Sequence, residues 1–196
     1  MSKPSILRFK SFIESHQLLS DEAWELLSGI LEVHTVRKHD IIVAEGQICR
    51  FVDYIDSGSL RSFYNNDGEE VSTGLHLEGH CVTNMASLSK DEPSKLTIQA
   101  NEDSVLVRFY KNRLISLYDT SPELQSIGRA VLEAMVVEEN SYKEMYALYS
   151  AEERYRYLTT RFPALALRFP LQHIASFLGI RRETLSRIRT KASSRR

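Results

Sequence analysis

The sequence predicts an α+β protein built from an antiparallel jelly-roll domain, a long helix and a C-terminal helix-turn-helix module that lacks a full wing. Three observations carry this reading. Short β-type runs separated by turn residues fill residues 33–109; a stretch rich in Ala, Glu, Met and Leu with no internal proline follows Pro122; and the last fifth of the chain is strongly basic. The expected units are residues 1–118, 119–150 and 151–196.

The first element expected is a short helix in Ser20–Leu31. Ser20 stands where a side-chain cap is needed, acids occupy the first turn, and Ala23, Leu26, Leu27, Ile30 and Leu31 recur at helical spacing. The β-type runs are Val33–Val36, Asp40–Ala44, Phe51–Ile55, Leu60–Tyr64, Glu70–Leu77, Leu96–Ala100 and Ser104–Phe109. Asp67-Gly68 between alternating apolar flanks is a strong hairpin signal, because two residues at positive φ match the twist of paired strands. Close succession of short strands with Gly-bearing turns favours an antiparallel roll over a parallel sheet.

From Glu123 to about Tyr149 the composition is that of one long helix. Heptads place Leu124, Val131 and Met145 on one seam position, with Ile127, Ala134 and Leu148 on the other. That pattern suits two such helices side by side in a homodimer, and it also suits packing against the chain's own β-domain. A further helix is expected at Ala151–Arg161, stopped by Pro163.

Charge divides the chain. Residues 1–153 carry 14 Lys+Arg against 25 Asp+Glu, whereas residues 154–196 carry 11 against 1. A basic module on an acidic body points to a polyanion-facing surface. Arginine supplies ten of those eleven cations, and its planar fork suits phosphates and guanine edges. No apolar run is long enough to span a bilayer, the start Met1-Ser2-Lys3-Pro4 lacks a signal-peptide core, and the expected location is cytoplasmic. Cys49 and Cys81 are expected as thiols, since two cysteines alone cannot build an all-cysteine metal site.

Pro170–Lys191 reads PLQHIASFLGIRRETLSRIRTK. Leu171, Ile174, Ala175 and Leu178 mark a buried face, Gly179 permits a sharp left-handed turn, and Ile180 plugs the corner. In the helix after the turn Leu185 and Ile188 face inward. Arg181, Arg182, Glu183, Ser186, Arg187 and Arg189 are left for solvent or DNA. The Ser-Arg end, Ser193–Arg196, is expected to fray.

This segment resembles the helix-turn-helix of the Crp/Fnr family of transcription regulators, whose recognition helix begins Arg-Glu-Thr, as Arg182-Glu183-Thr184 does here. Asp40-Ile41-Ile42, Glu45-Gly46 and Asp56-Ser57-Gly58-Ser59-Leu60 are similar to the punctuation of the family's cyclic-nucleotide-binding-like β-roll. The resemblance implies a homodimer on double-stranded DNA, with RNA polymerase as a candidate partner and a small-molecule effector of unknown identity. It implies base contacts by Arg182, Glu183 and Arg187. Phosphate contacts fall to Gln172 and Thr184, with Arg181 and Arg189 joining them.

Two departures from the family pattern matter. At the effector site, Thr83, Asn84, Ser94 and Lys95 occupy the stretch where the family holds ribose and cyclic phosphate, but Asn84 replaces a glutamate and Ser94 an arginine. Without the bidentate clamp, cyclic AMP binding is not expected. The chain also ends close to the recognition helix, so the wing's phosphate contacts would come from elsewhere, such as Arg154–Arg168.

Two rival functions remain at this point. A small-molecule sensor or adaptor without DNA reading needs only the β-domain. A cupin-like metal enzyme would need His76, Glu78 and His80 on one strand face, which Gly79 interrupts. No nucleophile elbow, phosphate-binding glycine loop or dinucleotide fingerprint is present, so no enzyme activity, cofactor or metal is expected.

Overall fold

The structure, a computed structural model, describes residues 3–193. Eight strands form two antiparallel four-stranded sheets that face each other as a jelly roll. The first has the order β1 (Glu32–Val36), β8 (Ser104–Tyr110), β3 (Phe51–Ser57) and β6 (Cys81–Val82). The second has the order β2 (Ile41–Val43), β7 (Thr97–Ala100), β4 (Ser59–Asn66) and β5 (Glu69–Leu77). Between the sheets lie Val43, Cys49, Ile55, Leu60, Val82, Ile98, Ala100 and Leu106, all buried, so apolar side chains fill the interior. Asp67 and Gly68, at φ 52° and 89°, close the β4–β5 hairpin, and the Asn65 side chain accepts a bond from Gly68 N–H.

Helices surround this roll. The helices α1 (Lys3–Glu14) and α2 (Asp21–Ser28) cover the outer face of the first sheet, packing Phe9, Ile13, Ala23 and Leu27 against Tyr54, Val107 and Phe109. Ser20 caps α2 by accepting from Ala23 N–H, and both its backbone N–H and its hydroxyl donate to Glu123. That pair ties α2 to the long helix. Elements not anticipated from the sequence are α1, β6 and three short helices: α3 (Met85–Lys90), α4 (Lys111–Tyr118) and α7 (Leu165–Arg168).

The long helix α5 (Pro122–Leu148) starts where the change of composition begins, capped by Ser121 with Pro122 in its first turn. Its N-terminal half completes the apolar layer on the first sheet through Leu124 and Ile127. Its C-terminal half belongs to a second layer, in which Met145 packs with α6 (Ala151–Arg161), α7, α8 (Leu171–Phe177) and α9 (Arg182–Ser193). The α6 bounds match the sequence expectation, and a Ser150–Glu153 capping box explains its start. Residues 194–196 of the Ser-Arg end, and Met1-Ser2 at the start, lie outside the described residues.

The C-terminal helices also touch the roll. Leu75 and Leu77 of β5 are buried among them, and α8 covers the edge of the second sheet. Along that edge Ser72 N–H donates to the Ser176 hydroxyl at 2.9 Å, and this hydroxyl donates to the Glu70 carbonyl at 3.2 Å. An edge strand covered by a helix cannot template further strand pairing. No helix among the described residues is long and apolar enough to cross a membrane.

Candidate nucleic-acid interface

The helix pair α8–α9 is organised around a left-handed glycine. Gly179 has φ 68°, where a side chain is strained, and it lets the chain reverse directly after Leu178. Ile180 N–H then donates back to the Ala175 carbonyl at 3.0 Å, which holds the turn on α8. Ile174, Ala175, Phe177, Leu178 and Leu185 are almost wholly buried, so the two helices share one small core. Ile188 is half-buried, as its spacing from Leu185 requires.

The opposite side of α9 faces solvent. Arg181, Arg182, Glu183, Ser186, Arg187 and Arg189 are exposed, as is Gln172 on α8. Thr184 is half-buried and accepts from the Arg187 guanidinium at 3.4 Å, which orients that fork along the helix. Further along, Lys191 donates to Glu152 of α6 at 2.9 Å. Of the residues expected at bases and phosphates, all but the half-buried Thr184 are thus exposed.

Two arginines of the Arg154–Arg168 stretch, its first and last, are paired within the chain. The Arg154 guanidinium donates to the carbonyls of Tyr146, Tyr149 and Leu178. Arg168 pairs with Glu78 and Glu102 across the contact with the roll. Of the Arg154–Arg168 stretch expected to supply phosphate contacts, these two side chains have their donors engaged within the chain, while Arg156 and Arg161 are exposed.

The effector stretch is closed on itself. Asn84 and Ser94 are both buried, and the Asn84 amide donates to the Ser94 hydroxyl at 2.6 Å. The Asn84 oxygen caps α3 by accepting from Ser87 N–H, while Ser94 donates onward to the Leu96 carbonyl. Thr83 donates to the Phe51 carbonyl at 2.8 Å, and only Lys95 of the four is exposed. What the sequence reveals is the loss of the arginine and glutamate. That their replacements bond to each other across ten residues is new from the structure.

A cavity of about 280 Å³ lies elsewhere, outside the roll, between the first sheet, α4 and α5. Its walls include Leu88, Phe109, Tyr118, Ile127, Val131 and Met135. Gly128 makes room for Tyr118 there, since a side chain on it would collide with the phenol. A lone glycine inside a helix was the one sequence signal for this close approach.

Of the expected seam residues, Leu124, Ile127 and Met145 are buried inside the protomer, Val131 and Ala134 are half-buried, and Leu148 is exposed. Besides Leu148, the exposed large apolar side chains of α5 are Leu132, Val136 and Val137, at 47%, 58% and 67% exposure.

The histidine trio diverges. His76 meets the Ser62 hydroxyl at 2.9 Å, Glu78 pairs with Arg168, and His80 pairs with Glu138 of α5 at 3.3 Å. Gly79 sits at φ 86° after the strand's end, which breaks the alternation that would align them. Among the described residues no group of three His, Cys, Asp or Glu could hold a metal ion. Burial pushes His76 down to about 4, and Cys81, a free thiol like Cys49, up to about 12.

Three buried side-chain polar atoms lack a hydrogen-bond partner among the described residues: Arg61 Nε, Ser72 Oγ and His173 Nδ1. Ser72 lies under Ser176 of α8, and His173, on α8 itself, feels the charges of Arg61 and Glu70. Among the described residues, the contact between the roll and α8 is thus incompletely satisfied.

Comparison with known proteins agrees with this architecture. Residues 33–121 match the family model of the cyclic nucleotide-binding domain. The fold resembles FixK2 from Bradyrhizobium japonicum, at 18% identity and TM-score 0.73, over 85% of this chain and 86% of that one. It also resembles CLP of Xanthomonas campestris, a regulator described as c-di-GMP responsive, at 17% identity and TM-score 0.64, over 87% and 90%. The Catabolite Activator Protein of Thermus thermophilus is similar at 20% identity and TM-score 0.54, over 90% and 85%. The comparison with curated protein sequences gives no match.

Proposed function

We propose that this chain is a Crp/Fnr-type transcription regulator that binds double-stranded DNA as a homodimer through a helix-turn-helix formed by α8 and α9. The observation that carries the proposal is the exposed face of α9, where Arg182 and Arg187 stand beside Glu183 on a helix whose other side is locked by Leu185. A helix with that profile fits the major groove, and its arginine forks can select guanine. The likeness to regulators of the same layout supports the same use of the fold.

In this reading Arg182, Glu183 and Arg187 contact base edges, while Gln172, Arg181, Thr184 and Arg189 contact phosphate. The dimer forms through the outward face of α5, centred on Leu132 and Val136, and RNA polymerase is the downstream partner. The roll is a sensing or scaffolding domain that does not take cyclic AMP, because Asn84 and Ser94 spend their hydrogen bonds on each other. Fluorescence-anisotropy titration of the full chain on duplex genomic fragments tests the proposal. Saturable binding that weakens steeply with salt is expected. Failure to bind any duplex at low salt would favour the sensor or adaptor reading.

A further inference from the structure

Arg154 sits in the first half of α6, yet its side chain serves two other helices. Its Nε donates to the Tyr149 carbonyl at 2.9 Å and Nη2 to the Tyr146 carbonyl at 2.9 Å, both at the C-terminus of α5. Its Nη1 donates to the Leu178 carbonyl at 3.1 Å, at the C-terminus of α8. Carbonyls at helix ends have no partner within the helix and attract cations, so this is where a guanidinium gains most. The fork also lies over the Tyr146 ring, 5.4 Å from its centroid. From α5 the Tyr146 hydroxyl donates to the Phe177 carbonyl, a second bond between the same two helix ends.

Leu178 is followed by Gly179 and, three residues later, by the first residue of α9. A planar fork holding both helix ends fixes their separation and their relative rotation, since its three N–H groups cannot pivot independently. We infer that Arg154 is a positioning residue for DNA reading, which sets the angle of α9 on the long helix α5 and does not itself contact phosphate. The inference rests on the DNA-binding reading for its consequence, while the latch itself is a property of the free protein.

The two roles of a cation near DNA separate cleanly. A phosphate contact tolerates lysine, and its removal lowers the slope of log affinity against log salt by about one. A positioning fork does not tolerate lysine, because one ammonium cannot reach three carbonyls on two helices. Full-length Arg154→Lys and Arg154→Gln are therefore compared with the parent protein on a two-half-site duplex and on duplexes whose spacer differs by one base pair. Both variants should lose affinity by about tenfold, the scale of a charge-assisted bond, with the salt slope unchanged. Their preference for the correct spacer should shrink, which a general loss of stability would not produce.

Amide exchange in the absence of DNA gives an independent readout. Faster exchange at Gly179 and Ile180 in Arg154→Lys supports the latch even if the parent protein binds no duplex, an outcome that would sink the DNA-binding reading alone. Tyr146→Phe, which keeps the ring and removes one bond, should move exchange and spacer preference in the same direction by a smaller factor, and it serves if the arginine variants fail to fold. Parental affinity, spacer preference and exchange in Arg154→Lys would overturn the inference. So would a salt slope reduced by one in Arg154→Gln.

Discussion

The effector stretch and the α8–α9 face are both polar, and they spend their polarity in opposite ways. Asn84, Ser94, Ser87 and Thr83 bond to one another or to backbone, largely out of contact with solvent. Arg181, Arg182 and Arg187 project from a helix whose inner side is fully packed. A buried polar group with its partner in the chain offers little to a ligand, because binding must first break a bond whose partner would then be stranded. Exposed guanidinium groups, of which Arg187 spends one N–H on Thr184, have further donors that a polyanion can meet without a buried bond being broken. The difference is the ground on which the proposed function assigns recognition to the C-terminal helices rather than to the effector stretch.

The largest expected effect tests what the two regions share, the dimer that would place two reading faces side by side. Replacing Leu132 and Val136 by Asp puts charges onto an exposed apolar part of α5, costing several kcal/mol per unpaired ion if a partner helix packs there. Sedimentation should report a monomer, and DNA affinity should fall with it. An unchanged dimer would move the interface off this face.

Next in size is Arg187→Ala, expected to cost about 1–3 kcal/mol at its base position and to relax selectivity there. Gln172→Ala should instead weaken all sites alike. If Arg187→Ala keeps the parental sequence preference, the reading face has been assigned to the wrong residue.

A smaller effect concerns the seam between the two regions, where His173 is held down at about 4 by burial, with Arg61 and His39 adding to the shift and Glu70 opposing it. Released from the roll, the imidazole returns to its ordinary value near 6.5. A group whose pKa is depressed in the docked state stabilises docking above about pH 6.5, and that contribution is lost as pH falls toward 4. His80 works in the opposite sense, since the hydrogen bond and charge of Glu138 outweigh its burial and raise it. The comparison must therefore be between the parent protein and His173→Gln, measured as amide-exchange protection along Ser72–Leu75 between pH 7.5 and 5, a window chosen to span the ordinary histidine value. The parent should lose more protection than the variant; equal losses would exclude His173 as the source.

The smallest expected effect is none at all. Calorimetry with cyclic AMP and cyclic GMP should show no heat of binding at micromolar concentrations, because Ser94 is already committed to Asn84 and Leu96. A micromolar dissociation constant would mean that this network opens at low cost.

Much of this architecture was legible because the physical signals are local. Strand alternation, the Asp67-Gly68 turn and the Pro163 stop each act within a few residues, and the corresponding elements lie close to where they were expected. The helix α1 was missed although Ser5, Phe9 and Ile13 repeat every fourth residue, because three positions at a chain terminus make a weak period. The two-residue strand β6 has no period to detect. On α5 the heptads identify apolar stripes but cannot say which stripe meets the roll; Leu124 and Ile127 turned inward because Val107 and Phe109 offered an apolar sheet face. The roles of Arg154 and Arg168 were hidden for the same reason. Charge is visible in a sequence, while the carbonyl or carboxylate that neutralises it comes from a distant element.

The central claim, that two copies of α9 read DNA as a dyad, is tested most directly by selection of bound sequences from a random duplex library by the full-length protein. Enrichment of an inverted repeat is expected, with half-site centres one helical turn, about 34 Å, apart. Enrichment of no motif, or of a single unrepeated one, would contradict it.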